Sequence, residues 1–199
     1  MSNLVSGRLP LEIRPQSYTL DLFVQPKEKV FSGRLVISLL IEKPLRAITL
    51  HALDLVITET RLCGQEALVS VDAADETITL TFPETIPPGD QALSLAFSGK
   101  LNQQMRGLYA TEVRGETFAF TQFEATDARR MFPCFDEPAF KARFKLSLNI
   151  PAHLTARSNM PILEEKKTGD LKKVTFDETP LMSTYLLAVA VARLEKREI

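Results

Sequence analysis

Apolar and polar residues alternate with period two along most of this chain. Tyr18, Leu20, Leu22 and Val24 alternate with Thr19, Asp21 and Phe23, and Ile78, Leu80 and Phe82 alternate with Thr77, Thr79 and Thr81. Phe144, Leu146, Leu148 and Ile150 do so with Lys145, Ser147 and Asn149. Successive side chains of a strand point to opposite faces, so each pattern predicts a strand with one buried and one wet face. Further strands are predicted over 31–42, 47–51, 55–62, 92–98, 117–121, 172–176 and 184–192. Turn signals separate them at Pro26-Lys27, Lys43-Pro44, Pro87-Pro88-Gly89-Asp90 and Thr168-Gly169-Asp170. About ten or more short strands at this spacing predict an all-β fold, a sandwich or an open barrel-like sheet of mostly antiparallel strands. Residues 126–130 are predicted to make one helical turn, capped by Thr126 and ended by Pro133.

Composition narrows the function classes. The 199 residues are long enough to bury a core, and without a repeat or linker they read as a single domain, 1–199. A net charge of −1 offers no field for nucleic acid or an anionic membrane, and no apolar run reaches the length of a membrane span. Met1 to Pro10 lacks the apolar stretch of a signal peptide, so a cytoplasmic location is expected. Cys63 and Cys134 lack CxxC spacing and fit a reducing compartment, with a single disulfide as the alternative.

The chain carries two histidines, His51 and His153, neither with a neighbouring ligand at i+3 or i+4 on a helix, since His51 follows the strand-like Ile48-Thr49-Leu50 and His153 follows Pro151 in a turn. Both read as structural, and no metal is expected to be bound by this chain. No G-x-S-x-G elbow and no Gly-rich phosphate loop occurs, and Cys134, between Pro133 and Phe135, reads as a core residue. No catalytic residue is therefore expected here.

The exception to the alternation is Thr121 to Phe144, "TQFEATDARRMFPCFDEPAFKARF". In extended backbone Gln122 and Glu124 share a face, and an amide beside a carboxylate makes a receptor for a small cation such as an ammonium. The alternative is that Glu124 pairs with Arg129 or Arg130. Asp127, Arg129, Arg130, Asp136, Glu137, Lys141 and Arg143 predict a charge network stapling the irregular segment to the sheet, since its backbone lacks ladder bonds. Asp136-Glu137-Pro138 predicts a turn or a helix start.

The run Gln122-Phe123-Glu124-Ala125-Thr126-Asp127-Ala128-Arg129-Arg130, then Phe132 through Ala142, closely resembles the zinc aminopeptidases of the aminopeptidase N type, gluzincin metallopeptidases. So do Arg8-Leu9-Pro10, Phe31-Ser32-Gly33, Ile48-Thr49-Leu50-His51-Ala52, Phe97-Ser98-Gly99-Lys100-Leu101-Asn102, Gly107-Leu108-Tyr109, Ser158-Asn159-Met160-Pro161 and the stretch from Met182 to Ala188. The resemblance implies the family's saddle-like N-terminal β domain, packed on a thermolysin-like catalytic domain of the same polypeptide that carries the zinc. It also implies that Gln122 shapes the pocket for a peptide's first residue and that Glu124 binds its α-amino group. The family's G-A-M-E-N loop and H-E-x-x-H helix are absent, so the 199 residues alone are expected to be inactive. Arg193 to Glu198 resembles the hinge to the next domain, and an apolar docking surface for that domain is expected. The alternative function is a non-catalytic aminopeptidase-like scaffold.

Overall fold

The computed structural model describes residues 8–194. Fourteen strands run in chain order: β1 (Ile13–Gln25), β2 (Val30–Ile41), β3 (Leu45–His51), β4 (Leu55–Arg61), β5 (Leu68–Asp72), β6 (Thr77–Ile86), β7 (Gly89–Lys100), β8 (Gly107–Val113), β9 (Glu116–Gln122), β10 (Arg143–Pro151), β11 (Thr155–Ser158), β12 (Ile162–Thr168), β13 (Leu171–Phe176) and β14 (Val189–Ala192). The only helical pieces among the described residues are two 3₁₀ turns, Ala128–Arg130 and Thr184–Leu186. The fold is all-β, as the alternation predicts.

Three sheets form: seven strands in the order β12-β13-β10-β1-β2-β7-β4, four in the order β11-β14-β9-β8, and three in the order β3-β6-β5. Every pairing is antiparallel except β1 with β10, where Tyr18 lies opposite Phe144. That register stacks the two rings at 4.9 Å and 5°. The inward residues of β1, β2, β7 and β10 join those of the smaller sheets in one buried cluster from Leu9 to Val191. Near the start of β2, Gly33 is flanked by Leu22 and Phe97. A Cβ there would lie 2.6 Å from Leu22 Cδ2 and 2.8 Å from Phe97 Cζ, so only glycine lets these side chains close over the strand. At the sheet edge, all of β12 is exposed and carries Glu164, Glu165, Lys166 and Lys167, charges that discourage strand addition.

Several sequence expectations are corrected. The stretch 184–192 is not one strand: its first part coils into a 3₁₀ turn before β14, with Thr184 held by a buried carboxylate. Strands β5, β11 and β12 escape the periodicity because they are short, or exposed on both faces, and β8 escapes it because its buried residues Gly107, Leu108 and Ala110 do not alternate strictly. The turn at residues 87–90 shrinks to Pro87 and Pro88, since β7 already starts at Gly89, opposite Ile41. The hinge-like stretch from Glu195 to Glu198 lies outside the described residues.

Candidate functional site

Strand β9 ends at Gln122, and its alternation continues one step further. Gln122 and Glu124 are exposed, while Phe123 between them is 2% exposed and meets Phe132 edge-on at 6.4 Å. Phe132 in turn packs on Tyr18 and Phe144. Burying Phe123 thus fixes which way its neighbours face. The Glu124–Ala125 peptide bond is cis, and the chain then turns, with the Asp127 amide donating to the Phe123 carbonyl at 2.9 Å. The helical turn comes later than predicted: Asp127 rather than Thr126 precedes it, and no side chain caps it.

The expected charge network lies directly behind. Arg129, 8% exposed, donates from its Nε and its backbone amide to Asp136 Oδ2 at 3.0 and 3.3 Å, and reaches Glu76 Oε2 at 2.9 Å. Thr184 Oγ1 donates to Asp136 Oδ1 at 2.7 Å, and the Asp136 amide donates to His51 Nδ1 at 3.1 Å. Arg130 binds Asp127 Oδ1 and Asp54 Oδ2, both at 2.8 Å. These bonds tie the segment to β3 and to the turns around Asp54 and Glu76, across more than fifty residues of sequence. Glu137, in a turn rather than a helix, accepts the Leu9 amide at 2.7 Å, and Arg143 donates to the Thr179 carbonyl. Sequence reasoning does not find Asp54 or Glu76, because nothing local marks a turn carboxylate that serves a distant arginine.

Burial, with the Arg129 guanidinium adding to it, holds the His51 imidazole down at about 4, so it is a neutral acceptor near neutral pH. Burial also pushes the Cys134 thiol and the Tyr18 phenol up. Cys134 is buried and Cys63 exposed, and both are free thiols. His153 does not share the structural role of His51: it is exposed in the turn after β10. Among the described residues, no three His, Cys, Asp or Glu side chains come together as a metal-binding group.

In front of the network lies a cleft of about 450 Å³ lined by residues of the segment after β9 (Gln122, Glu124 to Asp127 and Arg130), by Gln104 to Arg106 and by Glu76. Two of its carboxylates are occupied, Glu76 by Arg129 and Asp127 by Arg130. Glu124 has neither an ion pair nor a side-chain hydrogen bond among the described residues, so the pairing with Arg129 or Arg130 is not realised. An exposed carboxylate without a partner, in a cleft whose other acids are neutralised, can accept a cation without breaking an existing bond.

The profile of the peptidase M1 N-terminal domain matches residues 14–186. The chain is 45% identical over 192 residues to aminopeptidase M1-D of Oryza sativa subsp. japonica, covering 93% of this chain and 22% of that protein. It is 37% identical over 201 residues to the puromycin-sensitive aminopeptidase of Caenorhabditis elegans, covering 94% of this chain and 21% of that protein. With aminopeptidase N of Acetobacter pasteurianus it shares 36% identity over 197 residues, covering 96% of this chain and 56% of that protein. The chain thus spans about a fifth of the plant and worm relatives. The match takes in β2 to β13, the arginine network and the cleft, and this chain belongs to the peptidase M1 N-terminal domain family.

Proposed function

We propose that the cleft beside Glu124 receives the α-ammonium group of a peptide, and that residues 1–199 form the N-terminal domain of a zinc aminopeptidase. Its partner is a thermolysin-like catalytic domain of the same polypeptide. The observation that carries this reading is the lone Glu124 carboxylate beside Gln122, in a cleft whose other acids are paired. The Glu124 carboxylate supplies the charge and the Gln122 amide oxygen a second acceptor. Membership of the family and relatives named as aminopeptidases support it.

The chemistry assigned to this chain is positioning. An ammonium held at Glu124 fixes the distance from the amino terminus to the first peptide bond, so cleavage is restricted to that bond. The zinc that the family implies does not fit these residues. No three ligating side chains converge among those described, and the Nδ1 of His51 is taken by the Asp136 amide. The metal therefore belongs to the catalytic domain, and no hydrolytic step is assigned to this chain. Peptides are the proposed substrates and the cytoplasm the proposed location; among the described residues no helix is long and apolar enough to cross a membrane.

The test joins this chain to its catalytic domain in one polypeptide. Glu124→Ala is expected to lower kcat/KM for every unblocked peptide by roughly a hundredfold, since a charge-assisted bond is lost from a positioned ammonium. An unchanged kcat/KM would overturn the assignment.

A further inference from the structure

The wall facing Glu124 is the connection between β7 and β8, and it is braced from within. Asn102 Oδ1 accepts the Gln104 amide at 2.9 Å, Asn102 Nδ2 donates to the Arg106 carbonyl, and the Asn102 carbonyl accepts the Ala110 amide at 2.9 Å. Met105 and Gly107 take positive φ of 56° and 63° on either side of Arg106. Gly107 lies so close to Arg130 that a Cβ would sit 2.5 Å from Arg130 Cβ, which locks this wall against the opposite one. The turn therefore presents Arg106 to the cleft from a fixed backbone.

The charges around Arg106 are unbalanced. Arg129 and Arg130 each make two ion pairs at 2.8–3.0 Å. Arg106 has one contact, at 3.9 Å, to Asp127 Oδ2, on a carboxylate whose other oxygen already serves Arg130. Its side chain is 62% exposed. Among the described residues the cleft thus holds one carboxylate without a partner, Glu124, and one guanidinium nearly without one, Arg106. Such a pair matches a ligand that carries both a cation and an anion.

We infer that Arg106 is a specificity residue that favours a carboxylate on the first side chain of the peptide whose ammonium sits at Glu124. This rests on the proposed role of Glu124. The ammonium and the side chain of a first residue leave the same Cα, so anchoring one brings the other against the facing wall. A planar guanidinium meets a carboxylate through two parallel hydrogen bonds and meets the isosteric amide less well.

The experiment uses the polypeptide that joins this chain to its catalytic domain, with glutamyl, glutaminyl and leucyl amides of one chromophore. These substrates lack a C-terminal carboxylate, so the glutamyl side chain is the only anion. In Arg106→Met the ratio of kcat/KM for glutamyl over glutaminyl substrate is expected to fall roughly twofold to fivefold, the scale of an exposed ion pair. Leucyl and glutaminyl turnover are expected to change by one common factor, a thermal melt shows that the variant is folded, and Arg106→Lys should keep part of the glutamyl-to-glutaminyl ratio. An unaltered ratio, or an equal loss for all three substrates, would overturn the inference. So would weakened inhibition by free leucine with the ratio intact, because Arg106 would then read an α-carboxylate. Glu124→Ala separates the two readings: it lowers all three substrates together if the anchor is right, whatever Arg106 does.

Discussion

Asp136 is 2% exposed and is the centre on which the irregular segment converges. Its two carboxylate oxygens take the Arg129 guanidinium, the Arg129 amide and the Thr184 hydroxyl, and its own amide is received by His51. Removing one partner of a buried pair leaves the other charged and poorly solvated, which costs more than the pair contributes. Asp136→Ala is therefore expected to destabilise the protein by about 3–5 kcal/mol, read from the midpoint of urea unfolding. Glu124 offers the contrast. It has no partner to strand among the described residues, so its loss is expected to change activity and leave the unfolding free energy within about 0.5 kcal/mol of the parent.

At the scale of elements, the site depends on where strands stop. Strand β9 ends at Gln122, opposite Gly107, the first residue of β8, so the two walls of the cleft grow from one pair of strand ends. Gly107 has a φ of 63°, and its missing side chain lets the backbone approach Arg130. Alanine there meets both the left-handed backbone and the Arg130 Cβ. Gly107→Ala is expected to destabilise by about 2 kcal/mol or more and to raise KM, as Arg130 and Asp127 shift. A melting curve and a kcat/KM split check both parts. The alternation in β1, β6 and β10 is legible because each buries one face. Strands β5 and β12 are not legible, because nearly all of their side chains face water and sequence pattern follows burial.

At the scale of the molecule, the polar network joins the small sheet to the inserted segment through His51, at the end of β3, where His51 and Cys134 exchange backbone bonds. The folded imidazole titrates near 4, below its ordinary 6.5, so the unfolded chain takes up the proton first. Stability from this group is complete above pH 6.5 and is lost as pH falls toward 4, by roughly 3 kcal/mol. His51→Asn keeps an acceptor without a titrating ring, and its unfolding free energy is expected to fall less steeply across that window. The alternation by itself determined the all-β class and the inward faces of the long strands, since a period of two admits one burial pattern. The residues from Gln122 to Arg130 likewise carried the family resemblance and singled out Gln122 and Glu124. Only the tertiary structure decided that Arg129 and Arg130 belong to Asp136, Glu76, Asp127 and Asp54 and leave Glu124 without a partner among the described residues. Only it brought Arg106 to the same cleft. The physical reason is that Glu76 and Asp54 reach these arginines only because the strands fold back across fifty residues or more, and no local pattern encodes that distance.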